Sequence, residues 1–140
     1  MFIYNFTKYI EWPSSYQNGN FVIGVFGDSP VIENLEKMAS VKKVGAQPIQ
    51  VVKFNSVPEI SKCHILFVPA GKSKELEEIL IKTGNQATLV ITEKPGLAKK
   101  GSAINFVLVN GRWKFEINNS VTASSNLKVS SELLKMAIVI

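Results

Sequence analysis

The stretch from residue 21 to residue 30, FVIGVFGDSP, constrains the fold more than any other part of the chain. Its first six residues, Phe21–Phe26, are apolar apart from one glycine and predict a buried strand. Asp28 belongs to the turn that follows. Ser29 is a favoured helix N-cap, and Pro30 suits the first helical position, where its missing N–H leaves no hydrogen bond unmade. We therefore expect a central strand whose carboxyl end leads directly into a helix.

Later apolar stretches predict further strands of the same sheet, joined by helices or short turns. Apolar residues at helical spacing predict a helix that begins at Ser29 and Pro30 and ends near Gly45. Ser73 is expected to cap a second helix. Strands that alternate with helices imply parallel pairing through right-handed crossovers. The predicted strands are Gln47–Phe54, residues 64–68 and residues 88–92.

The last third of the chain breaks this pattern with a hairpin. Two predicted strands, residues 103–109 and Arg112–Ile117, are separated by an Asn–Gly pair, which favours the positive φ angles of a tight hairpin turn. Ser130 is expected to cap a buried terminal helix that reaches Ile138. Residues 1–140 therefore predict a single three-layer α/β domain. Its sheet is expected to be mixed and mostly parallel, with a C-terminal antiparallel hairpin and flanking helices.

Composition narrows the class of protein. The chain of 140 residues is 46% hydrophobic and 19% charged, as in folded globular domains with one core. The net charge of +5 comes from scattered lysines without interleaved aromatic residues, so nucleic-acid binding is not expected. Cys63 is the only cysteine, which excludes a disulfide within the chain. Neither the pattern of a signal peptide nor an apolar run of about 20 residues, as a membrane helix requires, is present.

No set of residues suited to catalysis or metal binding stands out. His64 is the only histidine and directly follows Cys63. Because adjacent strand residues point to opposite faces, these two side chains cannot act on each other. A metal site of nitrogen and sulfur ligands would need more such residues, and the motifs of serine hydrolases, P-loops and dinucleotide sites are missing. We expect a protein that is not an enzyme and has no cofactor.

Polar residues are expected to gather where the parallel strands end. Asp28 and Ser29 follow the first strand, Gly71 and Lys72 follow the third, and Glu93 follows the fourth. Helix N-termini and lysines at one sheet edge favour anions, so we predict that these five residues line a strand-end crevice for a small ligand. Asp28 is also placed like a phospho-acceptor aspartate, but too few carboxylates surround it to hold Mg²⁺. An ordinary turn beside an empty corner is the alternative interpretation.

Aromatic residues are a second candidate signal. Tyr4, Tyr9 and Trp12 lie in or beside a short N-terminal helix on which they cannot all face inward, and Trp113 lies beside the hairpin turn. Exposed aromatic side chains are frequent anchors of protein interfaces. We predict that these four residues contact a partner, with packing against the core as the alternative for each.

Short segments spread along the chain form an ordered set that covers nearly its whole length. They are KYIEWP (residues 8–13), FVIGVFGDSP (21–30), CHILFV (63–68), LVIT (89–92), GSAINFV (101–107), WKFEIN (113–118) and SSELLKMA (130–137). No single segment is specific. In this order and spacing, they resemble the YfiR family of bacterial periplasmic proteins.

The resemblance implies a regulator that is not an enzyme. The best-studied kind represses a membrane-bound diguanylate cyclase by binding its periplasmic sensor domain. We therefore expect this chain to bind and repress the periplasmic sensor domain of a membrane signalling protein, a diguanylate cyclase or a sensor kinase. Release raises cyclic di-GMP and promotes biofilm formation. The resemblance also implies a homodimer, and a signal peptide in the precursor. Typical members carry disulfides that this chain cannot form, a departure that bears on redox regulation and not on the fold.

A binding module for a small molecule is the alternative function. It would sense an anionic or aromatic metabolite at the strand-end crevice. The two functions are compatible if the ligand controls binding of the partner.

Overall fold

Within residues 2–140, which a computed structural model describes apart from the side chain of residue 2, eight strands form one curled sheet with helices on both faces. The helices are α1 (Phe2–Tyr9), α2 (Val31–Ala39), α3 (Leu76–Thr83), α4 (Asn119–Ser124) and α5 (Ser131–Met136). The strands are β1 (Ile10–Glu11), β2 (Phe21–Phe26), β3 (Lys43–Val44), β4 (Gln47–Phe54), β5 (Ile65–Val68), β6 (Leu89–Thr92), β7 (Ile104–Val109), β8 (Arg112–Ile117), β9 (Lys128–Val129) and β10 (Ile138–Val139).

The sheet is parallel in its centre and mixed towards its edges. The strand order is β10-β8-β7-β6-β5-β2-β4-β3. From β7 to β4 all neighbours are parallel, whereas β8 pairs antiparallel with β7 and β3 pairs antiparallel with β4. The strands β1 and β9 form a separate antiparallel pair. The predicted fold class, a mostly parallel mixed sheet with a C-terminal hairpin and flanking helices, is confirmed.

Strand β2 lies inside the sheet, as its sequence predicts. It runs between β4 and β5, and every residue except Val22 is buried. Ile23 and Val25 belong to the core that α1, α2 and α5 cover. Phe26 belongs to the core on the other face, which α3 covers. Burial on both faces explains the unbroken apolar run.

The predicted hairpin forms and extends beyond the rest of the sheet. Asn110 and Gly111 take φ angles of 51° and 76°, the left-handed values that a tight hairpin turn needs. Strand β7 pairs with β6 only as far as Asn105, and then continues to Val109. The end of the hairpin therefore projects past the carboxyl edge of the parallel strands.

The helix α2 is shorter than predicted. It ends at Ala39 instead of near Gly45. The chain then forms β3, and Gly45, with a φ angle of 57°, lies in the turn that joins β3 to β4. Strand β3 hydrogen-bonds to the outer edge of β4, which would otherwise present unpaired backbone groups.

Two further predictions about helix boundaries are wrong. Ser73 does not begin a helix, because a 3₁₀ turn over Ala70–Glu75 precedes α3. Serine favours turns as well as helix caps, so its position alone does not distinguish the two. The terminal helix starts after Ser130 as predicted, with the Ser130 Oγ accepting from the Leu133 N–H at 3.3 Å. It stops at Met136, and Ile138 enters β10, which pairs with β8.

Gly24 provides a test of the packing between β2 and its neighbours. A Cβ atom at this position would lie 2.6 Å from Cε2 of Phe54 and 3.2 Å from Cδ1 of Leu66. Both neighbours are buried and have little space in which to move. Gly24→Ala should therefore lower the free energy of unfolding in urea by about 1–3 kcal/mol. The control Gly71→Ala, which meets open space, should change it by less than about 0.5 kcal/mol. Equal stability of the two variants would contradict this packing.

Candidate functional site

The carboxyl ends of β2, β5 and β6 bring charged residues of the predicted ligand site together. These strands are parallel neighbours, so the turns that follow them lie at one edge of the sheet. Lys72 crosses the end of β2, since a Cβ atom at Gly27 would lie 2.9 Å from its Cε. Glu93 reaches the turn after β5, where its Oε1 accepts a hydrogen bond from the Ala70 N–H at 3.2 Å. Lys72 therefore lies near Asp28 at the end of β2, and Glu93 lies beside the turn after β5.

Asp28 is paired with a lysine that sequence analysis misses. The Nζ of Lys53, on β4, lies 2.5 Å from the Asp28 Oδ1. The hydrogen bond and the charge of Lys53 lower the pKa of the Asp28 carboxyl from its usual 3.8, and the charge of Lys72 contributes less. Both side chains are well exposed, so the pair adds little to stability. It does keep a carboxylate and two cations at the same edge.

One of the two predicted helix N-termini is present at the crevice. This is the start of α2 at Val31, where Pro30, with helical backbone angles, holds the N-cap position predicted for Ser29. The Ser29 Oγ accepts from the Val31 N–H at 3.2 Å. The second is displaced, because the 3₁₀ turn separates α3 from the end of β5. Within that turn, the Ala70 N–H is bound to Glu93. The protein's own carboxylate therefore holds a donor that an anion would use.

Acidic residues surround the part of this edge next to α2. An open depression there is lined by α2 and the turn before it, and its Glu33 and Glu36 disfavour an anion. Gly71 and Lys72 are exposed and do not line this depression. Among residues 2–140, no three histidine, cysteine or acidic side chains are grouped so that they could hold a metal ion. At this edge Lys53 is paired with Asp28, and Lys72 is an exposed basic residue near the same carboxylate.

A buried polar cluster at the base of the hairpin is missed by sequence analysis. The Thr92 Oγ1 lies 2.7 Å from Asn105 Oδ1 and 2.8 Å from Ser102 Oγ. The Asn105 Nδ2 donates to the Lys94 carbonyl at 2.9 Å and to the Glu116 carboxylate at 3.2 Å. The cluster joins β6, β7 and β8, and its asparagine within an apolar run is the one signal that marks it.

His64 and Cys63 have structural surroundings. Burial raises the pKa of the Cys63 thiol to about 12, which keeps the thiol protonated and unreactive at neutral pH. The His64 Nδ1 accepts from the Val22 N–H at 3.1 Å. Its Nε2 lies 2.6 Å from the Tyr16 carbonyl oxygen, to which the neutral ring donates. Burial is the main cause of the lowered pKa of His64. Both ring nitrogens therefore serve the fold.

The prediction that Trp12 contacts a partner needs correction. Its side chain is 5% exposed, and its Nε1 donates to the His64 carbonyl at 3.0 Å. Its ring meets that of Phe21 edge-on, with 5.0 Å between centroids. The chain turns inward after α1 and places this indole in the core. Tyr9 is half-buried and packs against the same core.

Tyr4 remains partly accessible among cations. Its hydroxyl donates to the Lys43 carbonyl at 3.2 Å, which holds the half-buried ring in place. The Nζ atoms of Lys8 and Lys42 lie 5.3 Å and 5.9 Å from the ring centroid. We call Tyr4, Lys8 and Lys42 the α1 surface.

Trp113 is the most exposed of the four aromatic residues. It lies at the end of the hairpin with 57% of its surface exposed, opposite Leu108, which is 58% exposed. The α1 surface and the hairpin end are thus two separate candidate docking surfaces.

The neutral form of His64 generates a prediction about pH. Its pKa is lowered in the folded protein, so the unfolded chain binds a proton first as the pH falls below about 6.5. The free energy of unfolding should therefore decrease from about pH 7.5 to about pH 5. His64→Gln should be less stable throughout but should lose less stability across that interval. Urea titrations give both slopes, and equal slopes would contradict the role of His64. Asp28 titrates below this interval.

Comparisons with known proteins place the chain in a family. A family model described as DUF4154, YfiR/HmsC-like, matches residues 1–138. A search of curated proteins found no match. Among solved structures, the chain is similar to an ABC domain from Streptococcus pneumonia in complex with L-Trp, with a TM-score of 0.62 and 14% sequence identity.

That structural similarity covers 85% of this chain and 55% of the other, so the chain spans about half the length of that protein. At this identity the similarity shows a shared fold alone. In the described part of the chain, every helix is too short or too polar to cross a membrane. The family match extends over nearly the whole sequence, and the chain belongs to the YfiR/HmsC-like family.

Proposed function

We propose that the protein is a periplasmic regulator that binds the periplasmic sensor domain of a membrane signalling protein, a diguanylate cyclase or a sensor kinase, and represses it. The family match over residues 1–138 carries this proposal. YfiR/HmsC-like proteins are periplasmic regulators of diguanylate cyclases and not enzymes. Loss of the contact would raise cyclic di-GMP and promote biofilm formation.

The α1 surface is the proposed contact for the sensor domain. Tyr4 is held by the Lys43 carbonyl, so binding its ring would cost little side-chain entropy. The nearby ammonium groups of Lys8 and Lys42 favour an acidic partner surface. Tyrosine is a frequent anchor at the centre of protein interfaces, whereas charged side chains such as those of Lys8 and Lys42 suit the rim.

A homodimer, which the resemblance implies, stays a prediction. Strand β10 pairs with β8 on one side and is the outermost strand at its end of the sheet. Its Val139 is 52% exposed. This edge is available for pairing with a second copy of the chain.

Substitutions on the α1 surface test the proposed function. Tyr4→Ala should raise the Kd for the periplasmic sensor domain of a diguanylate cyclase or sensor kinase from the same organism by about tenfold, because it removes the anchor. Lys42→Glu should also weaken binding, through charge and without disturbing packing, since Lys42 is exposed. Titration calorimetry gives each Kd. The control Ile81→Ala, at an exposed position of α3, should leave the Kd unchanged. If the wild-type chain binds no such domain, the proposed function is wrong. If the wild-type chain binds and both α1 variants bind equally well, the assignment of the α1 surface is wrong.

A second candidate function, binding of a small anionic metabolite, rests on the position of Lys72 at the strand-end crevice. We propose Asp28, Ser29, Gly71, Lys72 and Glu93 as its lining, with Lys72 as the main contact. The meeting of three strand ends with two lysines near Asp28 favours it.

A thermal-shift screen tests this second function. An anionic metabolite in large excess should raise the Tm of the wild-type protein by mass action, and Lys72→Gln should remove the rise. Lys82→Gln, at an exposed position of α3, removes an equal charge away from the strand ends and serves as the control. The absence of any stabilising anion would rule the function out.

A further inference from the structure

The end of the β7–β8 hairpin extends beyond the neighbouring strands, and we call residues 106–115 the arm. Pairing of β7 with β6 stops at Asn105, and pairing of β10 with β8 involves Glu116 and Ile117. Within residues 2–140, the strands of the arm therefore pair with each other alone. The part of β7 beyond its pairing with β6, residues 106–109, is four residues of extended chain and spans roughly 13 Å.

The tip of this arm exposes large apolar side chains. Leu108 and Trp113 are directly opposite each other and are both more than half exposed. They continue the apolar face that Phe106 and Phe115 begin at the base, where Phe6 of α1 covers it. The apolar face of the hairpin thus extends beyond α1, and its outermost pair, Leu108 and Trp113, is exposed to solvent.

The charge of the arm has one sign. Arg112 and Lys114 are exposed beside Trp113. Residues 94–115 contain five basic residues and no acidic ones, while the whole chain carries a net charge of +5. Lys94 lies at the base of the arm, where its backbone is hydrogen-bonded to Asn105. A surface that binds this tip must therefore contact an indole ring and several positive charges at the same time.

We propose that this arm docks on a bilayer surface that contains anionic phospholipids. Tryptophan favours the interfacial layer of a membrane, where its ring is apolar and its N–H finds polar partners. Arg112 and Lys114 would lie among the lipid phosphates and carry the preference for negative charge. An interfacial anchor requires only a few apolar side chains together with basic residues.

Docking of the arm on a membrane requires only this chain and the lipid. The proposal is therefore independent of whether the proposed sensor domain is the protein's partner. If the partner is a membrane protein, the arm would concentrate the regulator on the same surface.

Tryptophan fluorescence separates the arm from the rest of the protein. The chain has two tryptophans, of which Trp12 is buried and Trp113 is exposed. Vesicles of phosphatidylcholine mixed with phosphatidylglycerol should shift the emission of the full chain to shorter wavelength. Trp113→Phe should abolish the shift, since Trp12 keeps its surroundings. Vesicles of phosphatidylcholine alone should bind much more weakly.

Sedimentation with the mixed vesicles gives the effect of each variant. The double variant Arg112→Gln and Lys114→Gln should weaken binding by about fivefold for each charge removed. Trp113→Ala should weaken it by about tenfold. The controls Lys74→Gln with Lys82→Gln, and Ile81→Ala, remove equal charge and an exposed apolar group from the α3 region and should bind as the wild type does.

Three outcomes would overturn the proposal: no binding to either kind of vesicle, equal binding to both kinds, or equal losses in arm and control variants. If vesicles are not bound but arm variants lose binding to an acidic sensor domain, the arm is a protein contact and the membrane proposal is wrong. Circular dichroism of each variant verifies that the fold is retained.

Discussion

The hydrogen bonds of His64 are the contacts on which the rest of the structure depends. Its backbone N–H donates to the Val22 carbonyl at 2.9 Å, and its carbonyl accepts from the Leu89 N–H at 2.8 Å and from the Trp12 indole at 3.0 Å. Its ring bonds Val22 again and the Tyr16 carbonyl. One buried residue therefore joins β2, β5, β6 and the segment that precedes β2, and it must stay neutral to do so.

This network closes the amino edge of the sheet and leaves function to other surfaces. Tyr16 adds to the closure, because its hydroxyl accepts from the Ala87 N–H at 3.0 Å. The opposite edge is open, with Lys72 and Asp28 at the strand ends and the arm projecting beyond them. Phe6 connects α1 to the arm, since its ring lies 5.2 Å from that of Phe115. The helix α1, which carries the α1 surface proposed to bind a partner, and the arm, which is proposed to bind lipid, are therefore packed against each other.

Local signals were enough to predict much of the fold. The apolar run of β2 required burial on both faces, and the Asn–Gly turn required a hairpin. Strand β10 was not predictable from its own residues, because Ile138 pairs with an edge that only the folded sheet provides. The burial of Trp12 likewise depends on His64, which is 52 residues away along the chain.

In the candidate site, too, some features follow from the local sequence and others depend on the folded sheet. Parallel pairing alone predicts that Asp28, Lys72 and Glu93 approach one another, since all three follow strand ends. Lys53 becomes a neighbour of Asp28 through the β2–β4 register, which residue types do not reveal. The displaced start of α3 depends on a turn whose donor is bound by Glu93, a residue from another strand.

Amide hydrogen exchange of the chain, alone and with the periplasmic sensor domain of a diguanylate cyclase or sensor kinase that it binds, tests most directly whether the protein acts through its α1 surface. We expect slower exchange in α1 and in the segment around Lys42 when the domain is added, with the turns after β2, β5 and β6 unchanged. Slower exchange confined to those turns, or no change at either place, would contradict binding at the α1 surface.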